Sequence, residues 1–121
     1  MTSPFALVIE DDPDLSDIFS KALIAAGYAT EVIVDGQVAL ERIKEDVNAY
    51  LVVLDLHLPN VSGETILKQM KNNPNFSSTR LIITTADTIS AEILRDKADI
   101  VLVKPVSYGQ LRDLAQRFLP R

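Results

Sequence analysis

In the stretch Tyr50-Leu51-Val52-Val53-Leu54-Asp55-Leu56-His57-Leu58-Pro59, five apolar residues in a row run into a single carboxylate. The run has no polar alternation, so it reads as a strand covered on both faces, as in a parallel sheet lying between two layers of helix. Asp55 then falls at the carboxyl end of that strand.

Four further runs read as strands: Phe5 to Ile9, Ala29 to Ile33, Leu81 to Thr84 and Ile100 to Val103. Amphipathic stretches separate them, and short apolar runs alternating with helical patterns are the signature of βα units. The first helix is the clearest. Asp12 is its N-cap, Pro13 takes the first helical position, Leu15, Ile18, Phe19, Ala22 and Leu23 share a face, and Gly27 stops it. In the last helix Ser107 and Gln110 fit a capping box, Leu111, Leu114, Ala115 and Phe118 form one stripe, and Pro120 follows. Weaker helical patterns run from Gly36 to Asp46, Gly63 to Asn72 and Ile89 to Lys97. With right-handed crossovers, this order predicts one α/β domain over residues 1–121, a doubly wound (βα)5 three-layer sandwich around a five-stranded parallel sheet.

Composition narrows the function. At 121 residues the chain has room for one core. No apolar run approaches the roughly 18 to 20 residues that span a bilayer, so no membrane role is expected. The start, Met1-Thr2-Ser3-Pro4-Phe5, has no basic region and does not read as a secretory signal. The absence of cysteine removes disulfides, thiol catalysis and zinc-thiolate sites and fits a reducing compartment, so a cytoplasmic location is expected. The net charge is -5 and the basic residues are scattered, which argues against direct nucleic-acid binding.

In such sheets ligands bind beyond the carboxyl ends of the strands. The first run leads into Glu10-Asp11-Asp12, the third into Asp55, the fourth into Thr84-Thr85-Ala86 and the fifth into Lys104-Pro105. Asp12 is accounted for by capping before Pro13 and is left out of the site. Several carboxylates at one mouth repel one another, so the site either holds protons or binds a hard cation. Oxygen donors without sulfur favour Mg²⁺ or Mn²⁺ over zinc. A cation held this way keeps coordination positions for phosphoryl oxygens and suits phosphoryl transfer onto a carboxylate. Asp55, at the expected centre of the sheet, is the natural nucleophile. Lys104 can pair with developing phosphoryl charge and Thr85 can donate a hydrogen bond to it.

The constellation resembles the receiver domain of two-component response regulators, of the chemotaxis-receiver kind, over essentially the whole chain. The matching pieces are Leu7-Val8-Ile9-Glu10-Asp11-Asp12-Pro13, Val52 to Pro59 followed by Gly63, Thr85-Ala86, and Lys104-Pro105. The resemblance implies a flavodoxin-like sheet of order 2-1-3-4-5. It implies that Asp55 accepts a phosphoryl group from a sensor histidine kinase or a histidine phosphotransfer protein, with Mg²⁺ or Mn²⁺ as cofactor. Asp11, Asp55 and the backbone carbonyl of His57 would bind the metal directly and Glu10 through water. Thr85 and Lys104 would act as the switch residues, and the peptide before Pro105 would be cis, aiming Lys104 into the site. Thr84 competes with Thr85 for the hydroxyl role; the small residue Ala86 favours Thr85. The side chains of His57 and Asp87 would flank the phosphoryl group and affect its lifetime.

On this reading the chain is a phosphorelay switch that signals through contact with a downstream protein or in a homodimer, and is no enzyme beyond its own phosphorylation and dephosphorylation. Two features depart from the family pattern. Val101 stands where an aromatic ring usually couples the hydroxyl residue to the face of helix four, strand five and helix five. The segment from Thr85 to Lys104 is also shorter by about three residues, close to one helical turn, so helix four should be short or irregular. Two alternatives stand beside the switch: a scaffold of the same fold that is never phosphorylated, and a small aspartyl-phosphate hydrolase of the haloacid-dehalogenase type. The hydrolase family expects a second Asp two residues after the nucleophile, where this chain has His57.

Overall fold

A computed structural model describes residues 3–120. The expected domain bounds, 1–121, thus include Met1, Thr2 and Arg121, which lie outside the described residues. The elements alternate as expected: β1 (Phe5–Ile9), α1 (Pro13–Ala26), β2 (Ala29–Ile33), α2 (Gly36–Lys44), β3 (Leu51–Asp55), α3 (Gly63–Lys71), β4 (Arg80–Thr85), α4 (Thr88–Leu94), β5 (Ile100–Val103) and α5 (Tyr108–Phe118). Short 3-10 turns occupy Pro74–Phe76 and Arg95–Lys97. The strands pair in parallel in the order β2-β1-β3-β4-β5, which puts β3 at the centre. All five of its residues are buried.

The alternation of side chains along the strands divides the interior in two. Leu7, Ile9, Val52, Leu54, Leu81 and Ile83 point toward α2, α3 and α4, where they meet Ile43, Ile66, Leu67, Met70 and Leu94. Ala6, Val8, Leu51, Val53 and Ile82 point the other way, onto Phe19 and Leu23 of α1 and Leu111 and Ala115 of α5. With apolar layers on both faces, the sheet leaves only its strand ends for polar chemistry.

Several boundaries differ from the sequence reading. Strand β3 begins at Leu51 and includes Asp55, because the ladder to β4 continues through the pair Asp55 and Thr84. Strand β4 begins at Arg80, opposite Leu51. Helix α2 ends at Lys44, two residues early, because Glu45 is extended and the chain turns to bury Val47. Helix α4 is short, as expected; it begins at Thr88, ends at Leu94 and tightens into the 3-10 turn Arg95–Lys97. The capping box at α5 is half formed: Ser107 Oγ accepts from the Gln110 N–H at 3.1 Å, and no reciprocal bond from the Gln110 side chain is seen among the described residues. At α1 the start and stop signals hold, since Asp12 accepts from Asp14 and Leu15 and Gly27 closes the helix at φ 114°; of the expected face Phe19, Ala22 and Leu23 are buried, whereas Ile18 is exposed.

Candidate functional site

The carboxyl ends of β1, β3, β4 and β5 bring the expected residues together. Glu10 directly follows β1, whose ladder continues one step further through the Glu10 N–H to the Ile33 carbonyl at 3.0 Å. Glu10, Asp11 and Asp55 each offer an oxygen, and these three atoms lie within 4.8 Å of one another. Glu10 and Asp55 are almost wholly buried, whereas Asp11 stands at the more open rim. Asp12 is turned away to cap α1, as its omission from the site requires.

Lys104 reaches this cluster from β5. Its Nζ lies 2.9 Å from Glu10 Oε1 and 3.4 Å from Asp55 Oδ1. The Lys104–Pro105 peptide is cis, and the Lys104 N–H donates to the Thr85 carbonyl at 2.7 Å. Two buried carboxylates thus share one ammonium, which leaves excess negative charge. Burial pushes the Glu10 carboxyl up to about 7, with Asp55 pushing the same way and Lys104 opposing it. For Lys104 burial alone would lower the pKa, but Glu10 and Asp55 outweigh it and the net shift is upward.

The loop after β3 holds the nucleophile candidate in place. The His57 N–H donates to Asp55 Oδ1 at 3.1 Å, and the Leu56 N–H extends the ladder to the Thr84 carbonyl at 3.1 Å. Gly63 lets α3 press against this loop: a Cβ there would sit 2.4 Å from the Asp55 carbonyl oxygen and 2.6 Å from Leu56 Cα. A residue other than glycine has no room.

The two threonines separate cleanly. Thr84 is fully buried, and its Oγ1 has no hydrogen-bond partner among the described residues. Thr85 Oγ1 accepts from the Asp87 N–H at 3.0 Å and lies 3.3 Å from His57 Nε2. This contact between His57 and Thr85 was not legible in the sequence, which assigned the His57 main chain to the metal and set its side chain beside the phosphoryl group without linking it to Thr85. Asp87 has a structural task that the sequence reading missed. Its carboxylate caps α4, accepting from the Ile89 N–H at 3.0 Å and the Ser90 hydroxyl at 2.8 Å, and the Ser90 and Ile89 bonds hold its pKa below the usual value. An Asp two residues before the first apolar residue of a helix was the available signal. Val101 sits partly buried against the core below α4, with no ring to turn.

At the carboxyl edge of this doubly wound sheet, three carboxylates converge beside one lysine, with a threonine hydroxyl at the end of β4. Residues 6–116 match the family model of the response regulator receiver domain, and the chain belongs to that family. It is 32% identical over 107 residues to the transcriptional regulatory protein TrcR of Mycobacterium tuberculosis, covering 87% of this chain and 41% of that protein. It is also 32% identical to the DNA-binding response regulator MtrA of Mycolicibacterium smegmatis, covering 46% of it. The chain thus spans less than half the length of these relatives. Among solved structures, a BeF3-activated DrrB receiver domain superposes with a TM-score of 0.81 at 27% identity, covering 99% of this chain and 100% of that one. The receiver domain of the sensor histidine kinase PA1611 from Pseudomonas aeruginosa, solved with magnesium in its active-site cleft, has the same fold: TM-score 0.83, 21% identity, 97% of this chain and 98% of that one.

Proposed function

We propose that residues 1–121 form a single receiver module in which Asp55 is the phosphoacceptor. The observation that carries this reading is the convergence of Glu10, Asp11 and Asp55 within 4.8 Å, with Lys104 reaching both buried members. A carboxylate oxygen of Asp55 attacks the phosphorus of a phosphohistidine; the new P–O bond forms as the P–N bond breaks, and the departing imidazole takes up a proton. The donor class is a sensor histidine kinase or a histidine phosphotransfer protein.

The donor set fits Mg²⁺ or Mn²⁺, because it is all oxygen and sets three carboxylates against the single ammonium of Lys104. Asp11, Asp55 and the His57 carbonyl would hold the ion, with Glu10 acting through water. When bound, it neutralises charge on the transferring group. Lys104 pairs with a phosphoryl oxygen, and Thr85 turns its hydroxyl toward another. The magnesium of the Pseudomonas receiver and the BeF3 of the DrrB receiver support this assignment.

The altered surface is read by protein contact, not by direct contact with nucleic acid, in keeping with the net charge of -5. Ile89, Ile93, Val103 and Tyr108 are exposed on α4, β5 and α5 and offer a face to a partner or a second copy. No helix among the described residues is long and apolar enough to cross a membrane, and the cytoplasm, where such donors act, is the inferred location. The hydrolase alternative lacks its second Asp. Borohydride reduction of the phosphorylated chain, followed by peptide mass analysis, tests the acceptor: the reduced acyl phosphate is expected at Asp55, and its appearance at Asp11 or Asp12 would refute the assignment.

A further inference from the structure

The opening between α3 and α4 lies outside the site just described. Helix α3 packs against α2, and α4 packs against β4 and β5, so a groove of about 360 Å³ runs between them. Leu67 and Leu94 form its floor, and Lys68, Lys71, Lys97 and Glu64 form its rim. The short α4 creates this rim, because the 3-10 turn Arg95–Lys97 brings Lys97 across from α3.

The charges at this rim differ from those elsewhere. Lys21, Arg42, Arg80, Arg95, Lys104 and Arg112 each contact a carboxylate. Among the described residues, the cations without an ion pair are Lys44, Lys68, Lys71, Lys97 and Arg117, and three of these five surround the groove. A local cluster of unpaired ammonium groups on a chain of net charge -5 attracts an acidic partner to one place and repels it from the rest. The leucine floor adds a requirement for apolar side chains, which a nucleic-acid backbone does not supply.

We propose that the α3–α4 groove docks an acidic amphipathic segment of a partner protein, with apolar side chains over Leu67 and Leu94 and carboxylates on Lys68, Lys71 and Lys97. The docking does not depend on Asp55 being the acceptor. Both walls nevertheless begin at the site, α3 where Gly63 meets the Asp55 carbonyl and α4 where the Asp87 N–H meets Thr85.

The test is an amide-shift titration of the isotope-labelled, unphosphorylated full chain with a helical peptide of glutamates carrying leucine at every third and fourth position. The largest changes are expected at Leu67, Lys68, Lys71, Leu94 and Lys97. Affinity should fall about tenfold or more in the K68E/K71E/K97E variant and be lost when serine replaces the peptide's leucines. If that variant does not give a folded spectrum, the K68Q/K71Q/K97Q variant serves instead, with loss of affinity still expected. The proposal is overturned by absence of binding, by changes centred on Ile89 and Ile93, or by equal affinity for the serine peptide or for duplex DNA. It is also overturned if raising the protein concentration alone shifts the groove residues, since that would mark a self-association surface.

Discussion

The ammonium of Lys104 lies closer to Glu10, at 2.9 Å, than to the proposed acceptor Asp55, at 3.4 Å. Without a phosphoryl group, Lys104 therefore sits nearer the carboxylate that burial pushes up to about 7. A phosphoryl group on Asp55 would draw it away, and Glu10 would then need the cation. Such an exchange would link metal, lysine and acceptor in one charge balance.

Glu10 should make metal-free stability fall with rising pH. Its folded-state value, about 7, lies above its usual 4.5, so the folded chain holds the proton more tightly. That contribution is complete below 4.5 and is lost as pH rises through about 7, on the order of 3 kcal/mol in all. Urea unfolding in chelator across this range should show the decline in the parent and a flatter profile in Glu10→Gln. Magnesium bound at the proposed site would displace the same proton, so calorimetric affinity should rise with pH and level off above about 7.

Thr84 and Thr85 should give opposite results. Thr84→Val removes a buried hydroxyl that has no partner among the described residues and is expected to stabilise by about 1 kcal/mol while leaving phosphorylation unchanged. Thr85→Ala should slow phosphoryl uptake and leave a folded protein. If Thr84→Val blocked uptake instead, the two threonines would have to exchange roles.

Gly63 and Gly109 differ in what surrounds them. Gly63→Ala drives a Cβ into the backbone of Asp55 and Leu56 and should cost about 2–4 kcal/mol by urea unfolding. Gly109→Ala meets only the tip of Arg112, at 3.9 Å, and should stabilise by about 0.5 kcal/mol through helix propensity.

His57 is expected to set the lifetime of the phosphorylated state, because its Nε2 touches the hydroxyl of Thr85. Following the loss of label with time in parent and His57→Ala compares the two. An unchanged rate would leave the imidazole without a kinetic role.

Much of this was legible in the sequence because it is local. Asp12, Pro13 and Gly27 delimit α1 through neighbours within one turn, and β1, β2 and β5 end where their apolar runs end. What was hidden depends on residues far apart. The pairing of Lys104 with Glu10 joins positions 94 apart, and His57 meets Thr85 across 28 residues. Strand β4 takes in Arg80, a charged residue that an apolar run cannot include, because its side chain reaches Asp99, which also accepts the Leu81 N–H. Helix α2 stops short of Asp46 because burial of Val47 overrides propensity. Strand ends placed the site residues, but only the fold showed which of them share charge.

The central claim is most directly tested by intact mass after incubation with a small phosphodonor, with Mg²⁺ and with chelator. The account predicts a single phosphoryl adduct that requires Mg²⁺ and disappears in Asp55→Asn. No adduct in the parent, or one that persists in Asp55→Asn, would contradict it.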